Sequence, residues 1–121
     1  MPSNFFYNRF KIVTAQKLTR PLNNAAGYLF DHHAVYLEAG KGFLKVYLDF
    51  GREGLFIQTG ADATAGRDSY KEKGSVIDIP IKEGATYNEV LTEVNSVSGN
   101  PYHVINWNCQ DFAQTALSRI K

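Results

Sequence analysis

Two glycine-bearing turns, Ala39-Gly40-Lys41-Gly42 and Gly51 to Gly54, constrain this chain most. Runs rich in aromatic and branched residues flank them, the composition of strands. Tyr28 to Glu38 and Phe43 to Phe50 are therefore expected to form a hairpin, and Leu55 to Gln58 to begin a third strand. Phe10 to Ala15 reads as a first short strand. Lys17 to Gly27 holds Pro21, Asn23, Asn24 and Gly27, so it reads as a loop. Thr59 to Gly74 is small, polar and without periodicity, which predicts a mobile loop overhanging a site. In Ser75 to Ile81, Ile77, Ile79 and Ile81 alternate with Asp78 and Pro80. That pattern predicts a strand with its isoleucines facing the core. Pro80 suggests an edge position.

The last third of the chain is helical in pattern. Thr86 and Glu89 make a capping box, and Tyr87, Val90, Leu91, Val94 and Val97 follow helical spacing, so a helix is expected over Thr86 to Val97. Gly99 and Pro101 end it. A second helix is expected from Cys109 to Ile120, with Asn108 as N-cap and Phe112, Ala113, Ala116, Leu117 and Ile120 as its apolar stripe. Cys109 shares the face of Phe112 and Ala113, so its thiol points toward the sheet.

The chain has 121 residues, the size of one domain spanning 1–121. Its formal net charge of +1 gives no basic face for nucleic acid. A single cysteine makes no internal disulfide. No apolar run is long enough to span a membrane, and Met1 to Lys11 lacks the apolar stretch of a secretion signal. The default expectation is a cytoplasmic protein; the alternative is a secreted effector domain.

The chemistry centres on Cys109. A thiol at a helix start lies where backbone N–H groups and the macrodipole favour a thiolate. The competing reading is a small buried hydrophobe. On the expected strand, His32, Ala34 and Tyr36 point one way and His33, Val35 and Leu37 the other, so only one histidine can face the thiol. Ala34 leaves room beside a histidine, and His32 is favoured over His33 on strand alternation and on the resemblance given below. His103 is a spare base candidate. Asp49, in Tyr47-Leu48-Asp49-Phe50-Gly51, is the candidate third group that orients the ring; a solvated turn residue is the competing reading, and Asp31, Asp111 and Tyr47 are weaker alternatives. His33, Tyr36, His103 and Trp107 are the candidate substrate-facing residues. Metal binding is not expected: His32 and His33 diverge on a strand, and no Cys-x-x-Cys or helical His-x-x-x-His occurs. No cofactor is implied.

The order of a histidine strand followed by a cysteine helix resembles the circularly permuted papain-like proteins, among them the lecithin:retinol acyltransferase-like and PPPDE-type families, relatives of the NlpC-type peptidases. His32-His33-Ala34-Val35-Tyr36 looks like their His-x-Ala-hydrophobic-Tyr strand, which selects His32 as base. Asn108-Cys109-Gln110-Asp111-Phe112 looks like their Asn-Cys-x-x-Phe motif. Leu48-Asp49-Phe50-Gly51 falls where many members carry a second polar residue, often histidine, so the aspartate is a departure. The resemblance spans about residues 28 to 117 and leaves the N-terminal segment unmatched.

The resemblance implies an α+β, permuted papain-like fold: an antiparallel sheet packed against the C-terminal cysteine helix and a second helix. It also implies a thiol-dependent acyl-transfer enzyme, a cysteine peptidase, amidase or transglutaminase-like protein, including effector or toxin domains with an inhibitory or immunity protein as partner. The alternatives are a lipid-ester hydrolase or acyltransferase and an inactive binding module on the same fold. The acyl substrate would accordingly be protein, peptide or lipid. Lipid-active members usually carry a membrane-anchoring tail, and the chain ends at Lys121 without one, so amide chemistry is expected.

Overall fold

The computed structural model describes residues 10–23, 29–51, 53–99 and 108–121. Five strands form one antiparallel sheet: β1 (Ile12–Asn23), β2 (Leu29–Ala39), β3 (Leu44–Gly51), β4 (Gly54–Thr59) and β5 (Ser75–Asp78), in the order β4-β3-β2-β1-β5. Among the described residues three helices accompany it: α1 (Ala61–Lys73), α2 (Tyr87–Val97) and α3 (Cys109–Leu117). The protein is α+β, with an antiparallel sheet packed on the cysteine helix and a second helix.

Strand alternation sorts the sheet into two apolar faces. Val35, Leu37, Val46, Leu48 and Phe50 face α2 and α3, where they pack on Val90, Val94, Phe112, Ala113 and Leu117. The Phe50 and Phe112 rings stack, with centroids 5.4 Å apart. Ala34, Tyr36 and Tyr47 face the other way and are covered by Ala63 and Tyr70 of α1, together with Leu18. Ala34 to Leu37 are all fully buried because β2 is central and covered on both sides.

The hairpin β2–β3 turns through residues 40–43, where Gly40, Lys41 and Gly42 all take positive φ. Glycine suits two of those positions, since positive φ is strained for other residues. Helix α2 starts at the expected capping box: the Thr86 side chain accepts the Glu89 N–H, and the Glu89 carboxylate accepts the Thr86 N–H. Helix α3 starts at Cys109, as its cap predicts. Its α-helical part ends at Leu117, and residues 118–120 form a closing turn that still buries Ile120.

Four expectations need correction. Lys17 to Gly27 is not a loop where described: β1 runs on to Asn23, paired with β2 throughout. Pro21 is tolerated because β5 covers β1 only over Gln16 to Thr19, leaving Pro21 on an edge. Thr59 to Gly74 is not a loop either but holds helix α1, whose buried stripe is only Ala63 and Tyr70. Strand β5 stops at Asp78 rather than Ile81. Ile77 is 45% exposed on that edge strand, whereas Ile79 and Ile81 pack on the core from the segment after it. Among the described residues no helix is long and apolar enough to cross a membrane.

Candidate functional site

Strands β2 and β3 part company at one end. Their ladder runs from Ala39/Leu44 to Val35/Leu48 and stops there. Beyond it β2 continues against β1, and β3 continues against β4. His32 lies on the continuing stretch of β2 and Asp49 on that of β3. The opening lets side chains from the two strands meet without a backbone ladder between them.

Helix α3 brings its first turn to the same end. Gln110 Nε2 donates to the Asp31 carbonyl oxygen at 2.8 Å, tying the helix start to β2 one residue before His32. Asn108 caps the helix: its Oδ1 accepts the Gln110 N–H at 2.9 Å and the Asp111 N–H at 3.3 Å. Asp111 reciprocates, accepting the Asn108 N–H at 3.0 Å. The Phe112 N–H goes to the Asn108 carbonyl. The cap thus takes the Gln110, Asp111 and Phe112 donors and leaves the Cys109 N–H outside it.

The His32 ring is the centre of the arrangement. Its Nε2 lies 2.8 Å from Asp49 Oδ1 and 3.0 Å from Oδ2, between the two carboxylate oxygens. The Asp49 carboxylate is fixed in turn. The Phe50 N–H donates to Oδ1 at 2.7 Å, and the Tyr47 hydroxyl donates to Oδ2 at 3.0 Å. Burial disfavours charge on His32, but hydrogen bonds and charge from Asp49 and from Cys109 outweigh it and raise its pKa to about 9. Nε2 faces Asp49, so Nδ1 is the ring nitrogen that the carboxylate does not engage.

The remaining expected site residues are placed as follows. His33 points to the opposite face and lines a separate cleft with Lys17, Gln110 and Gln114. Burial and the nearby Lys17 charge lower its pKa. Tyr36 is fully buried under α1, its hydroxyl donating to Glu38 at 2.6 Å and its ring under the Arg67 guanidinium at 4.6 Å. It is therefore an anchor for α1 in this structure and does not line the cleft beside His32. His103 and Trp107 lie outside the described residues. A cleft of about 380 Å³ borders the site, lined by His32, Asp49, Glu53, Leu55 and Phe56 with Gly51 and Gly54. Cys109 is 1% exposed and is not among the described residues that line this cleft. Among the described residues no cluster of ligating side chains suits a metal ion.

Two contributors were not legible as such. Gln110 follows the cysteine as a helix residue, and only the fold shows that it docks α3 on β2. Tyr70 falls in the stretch that reads as a loop, yet its hydroxyl meets that of Tyr47 at 2.9 Å. Its signal is a spacing of seven from Ala63, two turns of one helix face.

No protein-family model, curated protein or solved structure gave a significant match to this chain.

Proposed function

We propose that this protein is a thiol-dependent acyl-transfer enzyme of the permuted papain-like type, acting on an amide or ester carbonyl with Cys109 as nucleophile, His32 as base and Asp49 as the group that orients the ring. The observation that carries this reading is the His32 imidazole, bound at Nε2 by Asp49 and with its pKa raised by both Asp49 and Cys109, the cysteine that opens α3.

The chemistry follows from the proton positions. In the reactive pair the Cys109 proton sits on His32 Nδ1, and Asp49 holds the imidazolium through Nε2–H. The sulfur attacks the carbonyl carbon, a C–S bond forms, and the carbonyl π pair moves to oxygen. The Cys109 N–H, which the cap does not take, would stabilise that oxyanion. When the tetrahedral intermediate collapses, the leaving amine or alcohol takes the proton from Nδ1, and an acyl-enzyme remains. Water or another nucleophile then loses a proton to His32, attacks the acyl carbon and releases Cys109. Among the described residues Leu55 and Phe56 are the large apolar side chains that line the cleft.

A binding module on the same fold is the second reading, favoured by the near-complete burial of Cys109. Exposure of the protein to p-nitrophenyl acetate separates the two. The enzyme reading predicts a burst of nitrophenol and an acetyl group on Cys109 by mass spectrometry. It also predicts that acetylation is lost in Cys109→Ala and slowed at least ~100-fold in His32→Ala, the range of general-base effects. An unmodified Cys109 in the wild type, or equal rates with and without His32, would contradict it.

A further inference from the structure

We infer that Tyr47 and Tyr70 are positioning residues for the Cys109–His32 pair: a two-hydroxyl relay, running from helix α1 through the sheet, that holds the Asp49 carboxylate against the ring. The inference rests on the function proposed above and adds α1 to the machinery.

The geometry leaves the protons little choice. Tyr47 has one hydroxyl hydrogen, and it donates to Asp49 Oδ2 at 3.0 Å. The 2.9 Å contact between the Tyr47 and Tyr70 hydroxyls must then be Tyr70 donating to Tyr47. Both hydroxyls are drawn in one direction, toward the carboxylate. The two residues are buried, at 6% and 2% exposure, so water does not compete for these bonds. Burial also raises the pKa of both phenols, which keeps them as neutral donors. Arg20, the cross-strand partner of His32 on β1, lies over the Tyr70 ring at 5.5 Å and completes the packing at the far end.

The helix is built to allow this. Gly66 of α1 faces Tyr47, where an added Cβ would lie 3.2 Å from both Tyr47 Cδ2 and Gln58 Oε1. Gly74 closes the helix on β1, where a Cβ would collide with the Thr19 carbonyl. Small residues at both places let α1 approach closely enough for Tyr70 to reach Tyr47. The packing of a remote helix thereby sets which way the carboxylate faces. Without the Tyr47 hydroxyl, Asp49 keeps the Phe50 N–H on Oδ1, and Oδ2 keeps the His32 ring but loses its hydroxyl donor.

The test uses iodoacetamide as a probe of Cys109, together with the NMR signal of the His32 Nε2 proton. Tyr47→Phe should slow alkylation near neutral pH roughly tenfold and broaden or shift the Nε2 proton, and Tyr70→Phe should do both more weakly. The double variant Tyr47→Phe/Tyr70→Phe removes both hydroxyls, so the Tyr70 hydroxyl is not left without its Tyr47 partner. It should regain thermal stability relative to the single Tyr47 variant while staying slow toward iodoacetamide. A double variant that regains both stability and rate would overturn the relay, as would Tyr47→Phe with wild-type rate and proton signal while His32→Ala is slow; in the latter case the acyl-transfer reading stands. If His32→Ala alkylates as fast as wild type, both fall.

Discussion

At the residue scale, His32 is defined by what touches its two nitrogens. Burial alone would make it a neutral imidazole, yet Asp49 and Cys109 reverse that and bring its pKa to about 9. The shift links protonation to folding. The folded-state pKa lies above the unfolded value of 6.5, so the stabilisation is fully present below pH 6.5 and is lost as pH rises through about 9. Each pKa unit corresponds to about 1.4 kcal/mol, so roughly 3 kcal/mol is at stake for this partly buried ring. The buried tyrosines, whose pKa values are raised, enter only above the ordinary tyrosine range near ~10, outside this window. Denaturant unfolding at pH 6.5 and pH 9 should therefore show the wild type losing most of that amount. Asp49→Asn, which removes the first of the two groups that raise the pKa, should flatten the dependence. Equal slopes in the two proteins would show that the pair is not coupled to folding.

At the element scale, the cysteine helix depends on its cap. Asn108 takes two N–H groups of the first turn, and Gln110 fastens that turn to β2. Asn108→Ala should cost about 1 kcal/mol in global stability, the usual value of an N-cap. It should also slow Cys109 alkylation, because the turn that fixes the sulfur frays. Thermal melts and iodoacetamide kinetics on the same sample check both halves.

The elements that were legible in the sequence carry their instructions locally. Thr86 with Glu89 and Asn108 before Cys109 mark helix starts by side chains that bond their own backbone. The glycine turn after β2 marks a hairpin by its positive φ angles. The elements that were not legible take their form from distant partners. In β1 the buried residues Ile12, Ala15 and Leu18 recur every third position. A bulge interrupts the strand between Ile12 and Thr14, and Ala15 and Leu18 serve opposite faces. That spacing matches no strand template. Helix α1 buries only Ala63 and Tyr70, too narrow a stripe to stand out from polar neighbours. For the site, alternation on β2 puts His33 with Val35 and Leu37 on the α3 side and His32 with Ala34 and Tyr36 on the α1 side, because a strand residue's side is fixed by parity. The partnership of Asp49 with His32 depends on two strands separating, which no local pattern encodes.

At the scale of the whole molecule, the described residues form three layers: α1, the sheet, and the pair α2 and α3. Strands β2 and β3 separate at one end of the sheet, and that is where His32 and Asp49 meet. The core below, with Phe50 stacked on Phe112, holds α3 to β3 and so sets where Cys109 stands. The site is thus an outcome of how the layers pack and not of a single mobile loop. Its central requirement is the contact between ring and sulfur. The most direct measurement is an NMR titration of the His32 ring in the wild type and in Cys109→Ala. The account predicts a pKa near 9 in the wild type and a lower value in the variant, since the sulfur is one of the two groups that raise it. A wild-type value close to the ordinary 6.5 of histidine, or one that does not move when the sulfur is removed, would contradict it.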